Sequence, residues 1–405
     1  MRVTVTLEHR FHSTPDGSLW TQAMFPYAFW QRYLTVFDQV NIVARVKRVS
    51  SVPEDWIRSD GDGVIFTAVP YYLGPLQYLR HAWTVGRVVR NSVGDGDAVI
   101  MRVGSRLAVC LETRLRREGR PYGVEVLGDP YDVYAPGAVQ HPLRPFFRWW
   151  SPRQLRRQCA HACSAAYVTE SVLQRYYPPP PGAYRTNYSS VELPENALSH
   201  NVRVFNKFTK TTLINIGTMA QMYKAQDVLI EALALCVKNG MHLQLLLVGD
   251  GKHRTDLESL ARSNGLNNQI HFLGQLTAGE AVREQLDRAD LFILPSRTEG
   301  LPRVMIEAMA RALPCIGSNV GGIPELLPPE DMVPPSDAKA LAAKIQEVLG
   351  DPQRMNRMSA RNLAKSGEYL DHVLAERRRS FYQIVKDRTS AWLSARVCHE
   401  NRNIK

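Results

Sequence analysis

Two glutamates eight residues apart, Glu299 and Glu307, sit in a run that begins Ser296-Arg297-Thr298-Glu299-Gly300-Leu301-Pro302-Arg303 and continues Val304-Met305-Ile306-Glu307-Ala308-Met309-Ala310. The run follows the apolar segment Leu291 to Leu294, so it reads as strand, loop and helix. Gly300 lets a backbone approach a ligand closely. A helix starting at about Leu301 or Pro302 offers free N–H groups and a positive dipole end to an anion. Eight residues make about two helical turns, which lets Glu307 point the same way as Glu299. Carboxylates on either side of an anion-binding helix start suit a ligand that carries hydroxyls on both sides of a phosphate or diphosphate. The carboxylates accept from the hydroxyls, and the stretch Gly300, Leu301, Pro302 and Arg303 holds the phosphates. A loop glutamate and a solvated helix glutamate are the plain alternative. They fit less well, because Glu307 interrupts an otherwise apolar run.

These residues need a scaffold, and from residue 212 onward the sequence supplies one. Short apolar strands are predicted at 212–216, 243–248, 270–273, 291–294 and 314–317, with helical patterns between them. Continuously apolar strands alternating with helices imply a parallel sheet covered on both faces. In such sheets ligands lie beyond the carboxyl ends of the strands. The loops after Ile216, Val248, Leu294 and Gly317 are therefore the ones to read. The first carries Gly217, Thr218 and, further on, Lys224; the second is Gly249-Asp250-Gly251. The N-terminal half repeats the rhythm less cleanly, with strands near 2–7, 39–45, 98–102, 122–127 and 165–169. A Pro-rich segment at 178–182 and a polar stretch from Glu195 to Lys210 separate the halves. The fold class is α/β, with two Rossmann-like domains and a cleft between them. A long charged helical stretch over about 353–397 ends the chain.

The 405 residues carry a net charge of +11 and call for an acidic partner: nucleic acid, an anionic membrane surface or a phosphorylated substrate. Arginines interleaved with Phe146, Phe147, Trp149 and Trp150 between His141 and Gln158 suit a membrane interface, a lipid-linked substrate or a helix with its rings turned inward. No apolar stretch is long enough to span a bilayer, and the N-terminus reads as a first strand, so the protein is expected in the cytosol. Cys159 and Cys163 lie four apart with His161 between them, but buried free thiols are the expectation over a metal site.

Glu299, Gly300, Pro302, Glu307 and Ala308 form an E-x7-E pattern in strand–loop–helix context, and with it the chain resembles the retaining GT-B glycosyltransferases of family 4, or glycosyltransferase group 1. Gly321-Gly322-Ile323-Pro324-Glu325, Val248-Gly249-Asp250-Gly251 and Lys224 extend the resemblance over about residues 212–345. It implies a GT-B fold whose C-terminal helix crosses back to the N-terminal domain. The expected domains are an acceptor-binding one at 1–195, joined by helix 380–405, and a nucleotide-sugar-binding one at 205–375. Glu299 is expected to bind the transferred sugar, Glu307 the ribose and Lys224 the diphosphate. Gly217, Thr218, Gly249 and Gly251 are expected around the nucleotide. Two positions depart from the pattern. Thr218 stands where the family commonly has an arginine, leaving Lys252 or Arg303 to supply a second cation. Asp129 stands where many members have a histidine near the reacting sugar. Pro15-Asp16-Gly17-Ser18 reads equally as an ordinary turn or as the family's glycine loop.

The resemblance implies transfer from a UDP- or GDP-linked sugar with retention, no cofactor and no required metal ion. The acceptor would be a saccharide or a polyprenyl-diphosphate-linked chain of exopolysaccharide or lipopolysaccharide assembly. That setting adds peripheral contact with the anionic inner membrane and involves no nucleic acid. The rival reading is a basic nucleic-acid-binding protein without transferase activity, though no recognised nucleic-acid module appears.

Overall fold

The computed structural model describes residues 1–22, 24–135, 141–206 and 211–403. Two compact units form. One comprises Met1–Leu127, Ser151–Tyr188 and the chain from Ala375 onward; the other comprises Gly128–Trp150 and Ser189–Leu374. Residues 128–150, expected with the N-terminal half, thus pack with the second unit. Within that segment Tyr134 stacks on Phe147 at 5.5 Å and the Arg148 guanidinium lies 3.9 Å from the Tyr131 ring.

The second unit has a six-stranded parallel sheet. Its spatial order is Ile270–Gly274, Leu243–Val248, Thr211–Ile216, Leu291–Leu294, Cys315–Ser318, Met332–Val333. Numbered along the chain this is 3-2-1-4-5-6, the doubly wound order that reverses direction between the first and fourth strands. Leu213, Leu245, Leu247, Leu291 and Ile293 are buried on this sheet against Leu229, Leu233 and Ile345 of the covering helices. Five of the six strands match the predicted ones; Met332–Val333 was too short to show.

The first unit is built on seven parallel strands: Val64–Val69, Gln39–Arg48, Arg2–Ser13, Ala98–Val103, Gly123–Val126, Ser164–Tyr167 and Tyr184–Asn187. Antiparallel strands Leu19–Thr21 and Ile57–Arg58 extend the long Arg2–Ser13 strand, completing a nine-stranded sheet. Pro15-Asp16-Gly17-Ser18 is the hairpin turn into this extension. Gly17 has φ +85°, and Thr14 N–H donates to Ser18 O.

The predicted last helix is two helices, Pro352–Ser366 and Asp371–Asn403. The break at Gly367–Leu370 buries Tyr369 and is pinned by a reciprocal pair: Leu193 N–H donates to Asp371 Oδ1, and Asp371 N–H donates to Leu193 O. Residues 207–210 of the expected inter-domain stretch and 404–405 of the expected terminal helix lie outside the described residues.

The terminal helix packs on the first unit's sheet around one buried carboxylate. A Cβ added at Gly123 would meet Val385 Cγ2 at 2.6 Å, so the helix lies directly against that strand. Two residues along, Glu125 accepts hydrogen bonds from Tyr33, Tyr188 and Tyr382 and pairs with Arg102 at 2.5 Å. All five groups are buried. Burial and the neighbouring Glu125 push the Tyr33 hydroxyl up to about 12. Removing the carboxylate would strand the Arg102 charge, so Glu125→Ala should cost about 3–5 kcal/mol of stability in urea unfolding. A loss within the error of the measurement would remove Glu125 from this role.

Candidate functional site

The strand order reverses between Thr211–Ile216 and Leu291–Leu294, and the loops leaving these two strands are tied together. Lys224 Nζ donates to Glu299 Oε1 at 2.7 Å, and Ser296 Oγ donates to the same oxygen at 2.6 Å. Both members of the ion pair are nearly buried, with side-chain exposures of 11% and 7%. An ammonium has three donors, so pairing with Glu299 leaves Lys224 two N–H groups for other acceptors.

Local sequence explains this geometry. A Cβ at Gly217 would lie 2.9 Å from Lys224 Cγ, so the glycine makes room for the lysine stem. Lys224 ends a short 3-10 turn, Met222–Lys224, and Ala225 adopts φ +55° to turn the chain into the helix Gln226–Lys238. Gly249 and Gly251 have φ +128° and +155°, and added Cβ atoms there would strike Gly217 O and Ala220 N, each at 2.1 Å. Their immediate role is to let two loops pack backbone against backbone, which Met219 N–H to Asp250 O at 2.9 Å completes. Thr218 turns its hydroxyl to the Ala220 N–H at 3.1 Å, a local turn contact.

On the other side of the pair, Gly321 and Gly322 wrap the Glu299–Gly300 backbone. Gly322 N–H donates to Gly300 O at 2.6 Å, and a Cβ on Gly321 would come within 2.0 Å of Glu299 O. The helix Arg303–Ala310 follows, with Pro302 in the N-cap position and no side chain capping it. Leu301 and Pro302 are buried, whereas Arg303 is exposed. Glu307 is largely buried on this helix. Burial pushes its carboxyl above the ordinary carboxylate range; Arg303 and Arg283 oppose the shift and Glu192 adds to it.

The structure therefore brings Lys224, Glu299, Gly217 and Gly300 into one contact set, and puts Leu301, Pro302, Arg303 and Glu307 on the adjoining helix. Asp129 has a local role: it caps the short helix Pro130–Val133, accepting from Tyr131 N–H at 2.8 Å. Lys252 is exposed beside the Gly249–Gly251 loop, and Arg254 is engaged by Asp250 and Glu258. Cys159 and Cys163 are free thiols, pushed up by burial to about 12 and about 11. Among the described residues no group of three or more His, Cys, Asp or Glu could hold a metal ion.

Sequence reasoning missed Arg297 and Asp227. Their bidentate pair, at 2.9 and 2.7 Å, is joined by Arg297 Nη1 donating to Met222 O at 2.6 Å and Arg297 N–H to Tyr223 O at 2.7 Å. Arg297 thus clamps the loop carrying Lys224 onto the loop carrying Glu299. Its place between Ser296 and Glu299 was the available signal.

Over this geometry the comparisons with known proteins agree. The sheet orders and the whole-chain match to the structure of sucrose-phosphate synthase from Thermosynechococcus elongatus (TM-score 0.68, 17% identity, covering 95% of this chain and 98% of that one) define a GT-B fold. Residues 201–364, within the second unit, match the family Glycosyl transferases group 1. The chain is 28% identical over 368 residues to Protein CapJ of Staphylococcus aureus, covering 89% of this chain and 90% of that one. It is 33% identical over 181 residues to the GDP-mannose-dependent monoacylated alpha-(1-6)-phosphatidylinositol monomannoside mannosyltransferase of Corynebacterium glutamicum, covering 42% of this chain and 47% of the relative.

Two predictions follow from the electrostatics. Arg297→Lys keeps the charge but not the two-pronged geometry; it should cost about 1–3 kcal/mol, read in thermal unfolding, and an unchanged melt would dismiss the clamp. Glu307 has a raised pKa in the fold, so its contribution favours the folded state at low pH and is lost as pH rises through and above the carboxylate range. Glu307→Gln should therefore raise the melting temperature of the free protein at neutral pH and have little effect well below that range. An equal shift at both pH values would count against burial as the cause.

Proposed function

We propose that the protein is a retaining hexosyltransferase of glycosyltransferase family 4. It moves a sugar from a UDP- or GDP-linked donor to a saccharide or polyprenyl-diphosphate-linked acceptor in cell-surface polysaccharide biosynthesis. The observation that carries the reading is the Lys224–Glu299–Ser296 cluster at the reversal point of the doubly wound sheet, next to an uncapped helix start. The group 1 domain match and the glycosyltransferase relatives support the class and disfavour the nucleic-acid reading. The GDP-mannose dependence and phosphatidylinositol mannoside acceptor named for the Corynebacterium relative support a nucleotide-sugar donor and a lipid-borne acceptor.

In this reading the donor's diphosphate lies against the free N–H groups of Lys224 and the backbone at Gly300 to Arg303. These groups neutralise charge building on the leaving group without a required metal ion. Glu299, fixed by Lys224 and Ser296, accepts from hydroxyls of the transferred sugar, and Glu307 accepts from the ribose. The acceptor oxygen bonds to the anomeric carbon on the face from which the diphosphate departs. The departing phosphate oxygen takes the acceptor's proton, so no separate base is needed. Asp129 is proposed near the reacting sugar. The enzyme works in the cytoplasm, peripherally at the inner membrane.

A thermal-shift titration with UDP, GDP, ADP and their sugar conjugates, with and without EDTA, tests the reading. A nucleotide at 100 times its dissociation constant should add about 2.7 kcal/mol of stability, and the shift should survive EDTA. Glu307→Ala should weaken nucleotide binding by about tenfold or more, whereas Glu299→Ala should mainly lower turnover. Absence of a shift with every nucleotide would overturn the donor site.

A further inference from the structure

The helix Gly74–Asn91 of the first unit is only half packed. Its buried residues are Val85, Gly86 and Val89, all in its second half. On the opposite side Leu76, Leu79 and Trp83 are 78%, 68% and 71% exposed, and Leu73 just before the helix is also exposed. At about 100° per residue, Leu73, Leu76, Leu79, Arg80, Trp83, Arg87 and Arg90 all fall within one arc of roughly 120°. The arc thus carries four apolar side chains toward the N-terminal end and three exposed arginines interleaved with and beyond them. The Arg87 guanidinium sits 4.8 Å from the Trp83 ring, holding a charge at the edge of the apolar stripe. Residues 74–91 contain no Asp or Glu. Arg90 also lines a recess with Arg117 of the neighbouring helix Arg106–Arg117.

Helices in proteins draw most of their stability from packing an apolar face. Here an apolar face of Leu76, Leu79 and Trp83 points to solvent while the valine face is buried. A covering partner must accept leucine and tryptophan and supply negative charge along the same strip. A second copy of this helix would set arginine against arginine, which is repulsive. An anionic lipid surface meets both demands: acyl chains for the apolar stripe, headgroup phosphates for the arginines, and an interfacial position for Trp83.

We propose that Gly74–Asn91 is a membrane-docking helix that lies in the headgroup region of an anionic leaflet. Leu73, Leu76, Leu79 and Trp83 enter the acyl boundary, and Arg80, Arg87 and Arg90 contact phosphates. No helix among the described residues is long and apolar enough to cross a membrane, so contact by this helix is lateral. The proposal gives the function above a surface that brings the enzyme to a lipid-borne acceptor. It rests on that reading for the acceptor only, and its test involves no sugar transfer.

The test is co-sedimentation of the full chain with vesicles of phosphatidylcholine alone or mixed with phosphatidylglycerol, at low and high salt. The wild type should bind the mixed vesicles, and binding should fall as salt rises. Combined Leu76→Ser, Leu79→Ser and Trp83→Ser should weaken partitioning by at least about tenfold while leaving the melting temperature and any nucleotide-induced shift intact. Arg80→Gln with Arg87→Gln should abolish the preference for phosphatidylglycerol. Phe146→Ser with Trp149→Ser, on the other aromatic surface, should bind as wild type. The proposal is overturned if the wild type stays in the supernatant or the triple variant binds unchanged. It is also overturned if the Phe146 and Trp149 substitutions alone release the protein, or if the triple variant instead abolishes self-association measured without vesicles. Loss of nucleotide binding in the wild type would reject the donor site and leave the docking result standing.

Discussion

The Lys224–Glu299 ion pair spans the only place in the second unit's six-stranded sheet where the winding reverses. Adjacent loops there leave neighbouring strands and turn toward opposite faces, so nothing in the strand ladder itself holds them together. The pair does, with Ser296 adding a second donor to the same carboxylate oxygen. Glycines then let backbone sit where side chains would obstruct it: Gly217 beneath the lysine stem, Gly249 and Gly251 against the Gly217–Ala220 turn, Gly321 and Gly322 around Glu299. A Cβ at Gly249, Gly251, Gly321 or Gly322 would strike backbone of the facing loop, and one at Gly217 would crowd the Lys224 stem. The site is therefore a preorganised cluster whose polar groups are oriented by their neighbours before a ligand arrives.

Charge in this cluster is deliberately unbalanced along the helix Arg303–Ala310. Near its start lie Lys224, the exposed Arg303 and uncapped N–H groups, all favourable to an anion. One to two turns further on, Glu307 is held where burial disfavours its ionised form. A carboxylate that burial strips of water is a stability liability, and a ligand hydroxyl would be a donor to relieve it. The cation end and the carboxylate end are separated along one helix, as a ligand with phosphates at one end and a diol at the other requires.

Much of this was legible in the sequence because it is local. Continuous apolar runs, ended by glycine after Ile216 and Val248 and by proline after Leu294, marked the strands Thr211–Ile216, Leu243–Val248 and Leu291–Leu294, and the carboxyl-end rule then singled out the loops holding Lys224 and Glu299. What depends on long-range pairing was not legible. Val64–Val69 and Tyr184–Asn187 are strands because they have partners at Gln39–Arg48 and Ser164–Tyr167, and short runs alone do not announce an edge. Arg297 looks like one more loop arginine until Asp227, seventy residues away, is placed opposite it. The break at Gly367 is set by Leu193, nearly two hundred residues upstream, and helical propensity favoured reading through it. Asp129, read as a replacement for a reacting-sugar histidine, is seen first as a helix cap, a role that the following proline also fits.

Amphipathic pattern identifies two faces of a helix but not which one is inside. Gly74–Asn91 has a leucine and tryptophan stripe and a valine face, and pattern alone would fit either to the core. The structure buries Val85 and Val89, on a helix that packs against the helix Arg106–Arg117 and the strand Val64–Val69. The charge of +11 is opaque for the same reason. Arg102 is consumed by Glu125 and Arg297 by Asp227, whereas the arginines beside Trp83 remain at the surface. Net charge counts these equally, but only unspent charges create a field outside the protein. The acidic partner implied by composition must accordingly meet a surface like that of Gly74–Asn91, where the arginines face outward together with the apolar side chains that charge alone would not explain.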